Sequence, residues 1–193
     1  MKTIKRGAVK TRMCRPGAFG PGIKLAVVLI AILIAWGLKR HYSDARADDL
    51  WWILTPTTHL VGIVTGATFT FQPGEGYFAR DRLFLIEKSC AGINFMVAAF
   101  GMLVFMLFHR IQSASWALRV LGMSVLASYL AAVVVNTARI AIAMWLAAHP
   151  APLQAFNAAD VHRLEGIVVY FGSLMLMYEL VQRLGHHEAV RRE

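Results

Sequence analysis

The sequence is poor in charge. Only 16% of its 193 residues are Asp, Glu, Lys or Arg, 58% are hydrophobic, and the mean hydropathy is +0.54. This composition excludes an ordinary soluble fold, and we expect a single-domain integral membrane protein. The net charge of +9 does not indicate nucleic-acid binding, because basic residues beside apolar spans usually set membrane topology.

Cysteine is almost absent, with Cys14 in a basic N-terminal stretch and Cys90 at the start of an apolar run. The predicted topology places them on opposite sides of the membrane, so they cannot form a disulfide within one chain. Thiols outside the cytoplasm tend to be oxidised to disulfides. A lone thiol there is either a reactive group or a small buried hydrophobe. A position at a helix start favours the reactive thiolate.

Several motifs of known chemistry are also missing. The chain has no Walker or GxGxxG sequence, no GxSxG elbow, and no HExxH or CxxC pair. A zinc site formed by His59, His149, His162 and Asp160 is conceivable, but the spacing of these residues matches no metal motif. We therefore expect neither a metal nor another cofactor.

Four apolar runs predict an all-α polytopic membrane fold with about four transmembrane helices. A short apolar segment, 140–148, is expected to be an interfacial or re-entrant helix, or a bent extension of the third span. The segments 67–71 and 77–87 read as a small extracytoplasmic β-hairpin, preceded by a short helix over 57–65. A cleaved signal peptide is the alternative to a first span. The four runs cover residues 23–38, 91–108, 116–135 and 164–184.

Charge asymmetry predicts a cytoplasmic N-terminus. That orientation leaves twelve basic residues and two acids inside, against eight of each outside. The predicted layout is a single integral membrane domain, 1–193. Its parts are a basic cytoplasmic tail (1–22), an extracytoplasmic segment (39–89), a catalytic helical core (90–184) and a cytoplasmic tail (185–193).

This topology brings three candidate catalytic residues, Cys90, Arg139 and His162, to the outer face. An arginine in an apolar setting usually pairs or marks a site, although it can also snorkel to lipid phosphate. A histidine serves as base and acid near neutral pH, although His162 can equally be a solvated helix-start residue. Asn136, Asn94 and Asp160 are weaker candidates for orienting these three residues, and Asp160 also fits an N-cap.

Three stretches resemble the exosortase/archaeosortase family: Cys90-Ala-Gly opens a span, Asn136-Thr-Ala-Arg139 follows the next outward span, and His162 opens the last. The resemblance covers roughly 67–179, and the compact size is similar to the exosortase K type. Ala91 departs from the family, which more often has Ser after the Cys.

The resemblance implies a membrane cysteine protease and transpeptidase. Its partners would be the lipid bilayer and membrane-anchored proteins with C-terminal sorting signals, meaning a motif such as Pro-Glu-Pro, a transmembrane helix and a basic tail. It implies a thioester intermediate and transfer to an acceptor, in the bacterial plasma membrane.

The alternative interpretation is a non-enzymatic membrane assembly factor or a small-solute carrier. Carriers often show inverted repeats with broken spans in matching positions, and this chain has neither. An intramembrane serine or metalloprotease lacks its motifs here.

Overall fold

The computed structural model describes the backbone of residues 20–149 and 158–190, and the side chains of residues 22–149 and 163–184. The described backbone forms five α-helices and three short strands. In chain order they are α1 (Gly20–Asp44), α2 (Trp51–Thr65), β1 (Thr70–Gln72), β2 (Gly76–Ala79), β3 (Phe84–Ile86), α3 (Ile93–Leu107), α4 (Ala114–Ala148) and α5 (Ala158–Val190).

Four helical segments are long and apolar enough to cross a membrane. They correspond to the four predicted spans, so the polytopic helical fold is confirmed. The remaining helix, α2, has 15 residues and corresponds to the short helix expected between the first span and the β-structure. The segments that can span are Gly22–Asp44, Lys88–Arg110, Ala114–Ala148 and Arg163–Leu184.

The helix α4 is the centre of the bundle, because it contacts α1, α2, α3 and α5. It starts where the Ser113 side chain accepts a hydrogen bond from the Trp116 N–H at 3.3 Å. It runs unbroken for 35 residues, about 52 Å at 1.5 Å per residue. The segment 140–148 is thus the end of α4, an extension of the third span without a re-entrant turn.

A small antiparallel sheet lies between α2 and α3 in the chain, in the strand order β1-β2-β3. The predicted β-structure is confirmed, but the expected second arm, 77–87, divides into two strands. The division falls at a turn in which Leu83 adopts a φ of +48°. A positive φ in a residue other than glycine carries little sequence signal, and a three-stranded meander therefore replaces the hairpin.

Two clusters of buried apolar side chains hold the helices together. One lies beside α2 and the start of α3, and includes the fully buried Leu50, Ile53 and Leu54. The other joins α1, the end of α3 and the start of α4. It consists of Val27, Phe100, Val104, Ile111, Ala117, Val120 and Leu121.

Candidate active site

Cys90 lies in a 3-10 turn, Lys88–Ala91, directly before α3; we call it the Cys90 turn. The Cys90 N–H donates to the Glu87 carbonyl at 2.9 Å. The thiol is free and its residue is only 7% exposed. Its Sγ lies 3.9 Å from the Ser89 hydroxyl, which donates to the Glu87 carboxylate at 2.7 Å. The turn thus presents a buried sulfur at the entrance of an apolar helix.

Gly92 joins the Cys90 turn to α3 and has a φ of +68°. A Cβ at this position would lie 3.1 Å from the Asn136 Cγ, closer than side chains normally approach. Both the left-handed backbone and the missing side chain are therefore needed at this point. The glycine of the Cys-Ala-Gly sequence lets the turn pack directly against α4.

A chain of hydrogen bonds connects the Cys90 turn to the predicted arginine. The Asn136 side-chain amide donates to the Cys90 carbonyl. The Tyr170 hydroxyl donates to Asn136 Oδ1 at 2.8 Å and accepts from Arg139 Nη1 at 3.2 Å. Asn136 and Arg139 lie one helical turn apart on α4, and both reach the Tyr170 hydroxyl from the same face of that helix.

Arg139 is buried, with 9% exposure, in the packing between α4 and α5. Its guanidinium lies over the Tyr170 ring, 5.4 Å from the centroid. Its positive charge also interacts electrostatically with the Glu165 carboxyl group, which is equally buried. Gly166 permits this approach, because a Cβ there would lie 3.3 Å from Arg139 Nε. The arginine is therefore packed inside the bundle. This burial contradicts the alternative in which Arg139 snorkels to lipid phosphate.

The C-terminal end of α1 also contacts the Cys90 turn. The Lys88 ammonium donates to the Ser43 carbonyl at 3.0 Å and lies 5.0 Å from the centroid of the Tyr42 ring. Lys39 donates to Asn94 Oδ1 at 2.7 Å. Asn94, a weaker candidate for orienting the catalytic residues, therefore binds α1 on an exposed surface.

His162 and Asp160 lie in the first turns of α5, and their side chains are outside the described residues. His162 precedes Gly166, the residue facing Arg139, by one helical turn. The structure thus brings Cys90 and Arg139 into one bonded network, while the convergence of all three residues stays a prediction.

A metal centre finds no support in the described ranges. Among residues 22–149 and 163–184, whose side chains the structure describes, no three His, Cys, Asp or Glu residues are grouped so that they could hold a metal ion. Asp160 and His162 lie outside these ranges. His59 lies on α2, and the His149 ring stacks on Trp145 at the end of α4 with centroids 4.8 Å apart.

Tyr170 is the residue that sequence reasoning missed. It is an aromatic residue in an apolar span, where membrane aromatics are common, so it attracts no attention alone. Its hydroxyl is the available signal, because a buried Tyr O–H needs a hydrogen-bond partner. Its spacing from His162, eight residues along one helix, also places both residues near one face.

Residues 63–179 match the model of the family described as transmembrane exosortase. The match begins near the end of α2 and includes the sheet, the Cys90 turn, α3, α4 and most of α5. The helix α1 lies outside it. Comparisons with curated proteins and with solved structures give no match.

Proposed function

The chain belongs to the transmembrane exosortase family, and from this premise we propose that it is a cysteine transpeptidase of the membrane. It cleaves the C-terminal sorting signals of exported proteins. The observation that supports this proposal is the bonded network joining the Cys90 turn to a buried arginine at one end of the bundle. Each residue of that network except Tyr170 belongs to the sequence motifs that resemble the family.

In the first step, His162 accepts the Cys90 thiol proton and the thiolate attacks the scissile carbonyl carbon. A bond forms between sulfur and that carbon, and the carbonyl oxygen takes the electron pair. When the oxyanion collapses, the peptide C–N bond breaks and His162 gives its proton to the leaving amine. The product is a thioester on Cys90 and a released C-terminal helix with its basic tail.

In the second step, an acceptor amine or water attacks the thioester. His162 removes a proton from this nucleophile, the C–S bond breaks, and the sulfur leaves as a thiolate that is reprotonated. An amine acceptor makes the reaction a transpeptidation and water makes it a hydrolysis.

Arg139 stabilises the oxyanion or the thiolate. In a water-poor site such a donor contributes a factor of about 10² to 10³ in rate. Its burial supports this role, because a guanidinium held inside the bundle keeps its orientation without reorganising water. The same group could instead bind an acidic side chain of the sorting motif.

The site faces the outside of the bacterial plasma membrane in this proposal, and the N-terminus is cytoplasmic. The predicted layout, with a cytoplasmic 1–22 tail and a catalytic core over 90–184, rests on the charge asymmetry of the sequence.

The decisive experiment replaces Cys90 by Ala. The substrate is a co-expressed reporter, an exported protein ending in a Pro-Glu-Pro motif, a transmembrane helix and a basic tail. Cleavage is followed by the shift in reporter mass. Cys90→Ala should abolish cleavage, whereas Cys14→Ala, which removes the other cysteine of the chain, should leave it unchanged. Equal cleavage by Cys90→Ala and the unaltered protein would contradict the assignment of Cys90 as the nucleophile. It would favour the assembly-factor interpretation.

A second pair of variants tests the histidine. His162→Gln should reduce reporter cleavage by about 10²-fold or more, as expected for a lost general base. His149→Gln, at the end of α4, should not reduce it. Equal loss in both variants would contradict the role of His162.

A further inference from the structure

We propose that Tyr170 is a positioning residue, which fixes both Asn136 and Arg139 relative to the Cys90 turn. The proposal rests on the proposed function for its meaning, since it assigns Tyr170 to the same site. It begins from the observation that the Tyr170 hydroxyl lies between the two α4 side chains, 2.8 Å from one and 3.2 Å from the other.

Each hydrogen bond that links Arg139, Tyr170, Asn136 and the Cys90 carbonyl has only one possible direction. A guanidinium can only donate, so Tyr170 accepts from Arg139. The single phenol proton then goes to Asn136 Oδ1. The Cys90 carbonyl can only accept, so the Asn136 amide must turn its N–H groups toward it. The orientation of the amide thus follows from the Tyr170 hydroxyl on one side and the Cys90 carbonyl on the other.

The ring of Tyr170 is held independently of its hydroxyl. The Phe95 ring of α3 packs against it with centroids 5.3 Å apart, and the Arg139 guanidinium lies over it. Removing only the hydroxyl should therefore leave the ring, the helix packing and the cation–π contact in place. The substitution Tyr170→Phe isolates the hydrogen bonds from the packing.

Loss of the hydroxyl removes the donor that fixes Asn136 and the acceptor that fixes Arg139 Nη1. The amide can then rotate, and its bond to the Cys90 carbonyl is no longer enforced. Because the Cys90 turn is attached to α4 through this bond and the close contact at Gly92, the turn should open more often and the thiol should lose its fixed place.

Two tyrosines provide matched controls on the same bundle. The Tyr129 hydroxyl donates to the Trp52 carbonyl at 2.8 Å, another partly buried bond that includes no residue of the Cys90 turn or of its hydrogen-bond chain. The Tyr178 hydroxyl accepts from Gln182 on the exposed face of α5. Tyr129→Phe reports the effect of losing a structural bond, and Tyr178→Phe reports the effect of losing an exposed one.

The first measurement is the alkylation rate of Cys90 by iodoacetamide in a full-length Cys14→Ala background. With all variants measured at one alkaline pH, differences in the rate report mainly access to the sulfur. Tyr170→Phe should accelerate alkylation by about threefold or more, because local opening exposes the buried thiol. Tyr129→Phe and Tyr178→Phe should leave the rate unchanged within about twofold.

The second measurement is the rate of reporter cleavage, normalised to folded protein. Tyr170→Phe should slow it by about 10- to 100-fold through misplacement of the reacting groups. Asn136→Asp keeps the acceptor for Tyr170 but loses the N–H for Cys90, so it should accelerate alkylation in the same way. An alkylation rate for Tyr170→Phe equal to that of Tyr178→Phe would overturn the proposal.

The two proposals fail separately. Should Cys90→Ala cleave the reporter as well as the unaltered protein, the proposed function fails, and the alkylation rates still decide whether Tyr170 fixes the turn. Should cleavage depend on Cys90 while neither rate responds to Tyr170→Phe, only the positioning role fails.

Discussion

Apolar packing holds both ends of the helical bundle together, and the end that carries Cys90 adds a chain of directed hydrogen bonds. At the end that carries Cys90, α4 and α5 bury Asn136, Arg139 and Tyr170 in directed hydrogen bonds. At the other end, the cluster around Phe100 that joins α1, α3 and α4 is wholly apolar. The helix α4 runs through both ends, so one element is fixed by two different means.

The difference bears on what each end tolerates. An apolar cluster depends on volume and shape, and similar side chains can replace one another at modest cost. A hydrogen-bonded chain depends on where single atoms and protons lie, so the loss of one hydroxyl affects every bond beyond it. Stability and site geometry should therefore respond to different residues, and substitutions at each end can separate the two.

The largest expected effect belongs to Phe100→Ala. The Phe100 side chain is only 1% exposed, and its removal leaves a cavity that the surrounding helices cannot fully fill. We expect a loss of about 3–5 kcal/mol in the free energy of unfolding, measured by denaturation in detergent micelles. The lower part of that range is expected in lipid, where burial itself contributes less.

The same variant tests the comparison between the two ends. The iodoacetamide rate of Cys90 and the reporter cleavage per folded molecule should stay within about twofold of the unaltered protein, because no directed bond is lost. Phe105→Ala, on the same helix but 81% exposed, should change neither quantity. A large fall in cleavage per folded Phe100→Ala molecule would show that the ends are coupled.

A smaller effect is expected for Gly92→Ala. The φ of +68° costs alanine about 1–2 kcal/mol, and the new Cβ meets the Asn136 Cγ at 3.1 Å. Relief of that contact should displace the amide and break its bond to the Cys90 carbonyl. We expect lower stability in detergent denaturation together with reporter cleavage reduced by about tenfold or more.

Gly66→Ala separates the backbone strain from the contact. Gly66 has a similar φ of +72°, but a Cβ there meets nothing within 4 Å. This variant should lose similar stability and keep full cleavage per folded molecule. If both glycine variants cleave the reporter equally well, the packing of Asn136 on the Cys90 turn is not what fixes the site.

The sequence predicted the spans and three members of the network, Cys90, Asn136 and Arg139, because hydrophobicity and isolated polar residues are local signals. It left open whether 140–148 was a separate interfacial or re-entrant helix or a bent extension of the third span, and the structure shows the extension. Polar residues in an apolar run often mark a loop. Here their groups are bonded to Tyr170 and to the Cys90 carbonyl, so the helix continues through them.

The remaining features depend on distant contacts and could not be read from one sequence. Tyr170 gains its role only when α5 packs against α4, and nothing in its own surroundings in the chain indicates Asn136 as a partner. The division of the expected hairpin arises from the positive φ of Leu83, which no local residue preference predicts. In both cases the role of the residue is set by the folded structure and not by its neighbours in the sequence.

The smallest expected effect comes from comparing Gly166→Ala with Gly172→Ala, which tests how firmly Arg139 is held against α5. Glycine inside a helix costs about 0.5–1 kcal/mol relative to alanine, so Gly172→Ala, with nothing within 4 Å of its Cβ, should be slightly stabilising. Gly166→Ala places the same methyl group 3.3 Å from Arg139 Nε. The arginine must then shift by a few tenths of an ångström, which should cancel the gain in stability and slow reporter cleavage severalfold. Because both residues lie on one helix, differences in helix propensity cancel in the comparison. If Gly166→Ala proves as stabilising as Gly172→Ala and cleaves the reporter at the full rate, the guanidinium is free to adjust, and the directed contacts of this end are looser than its hydrogen bonds imply.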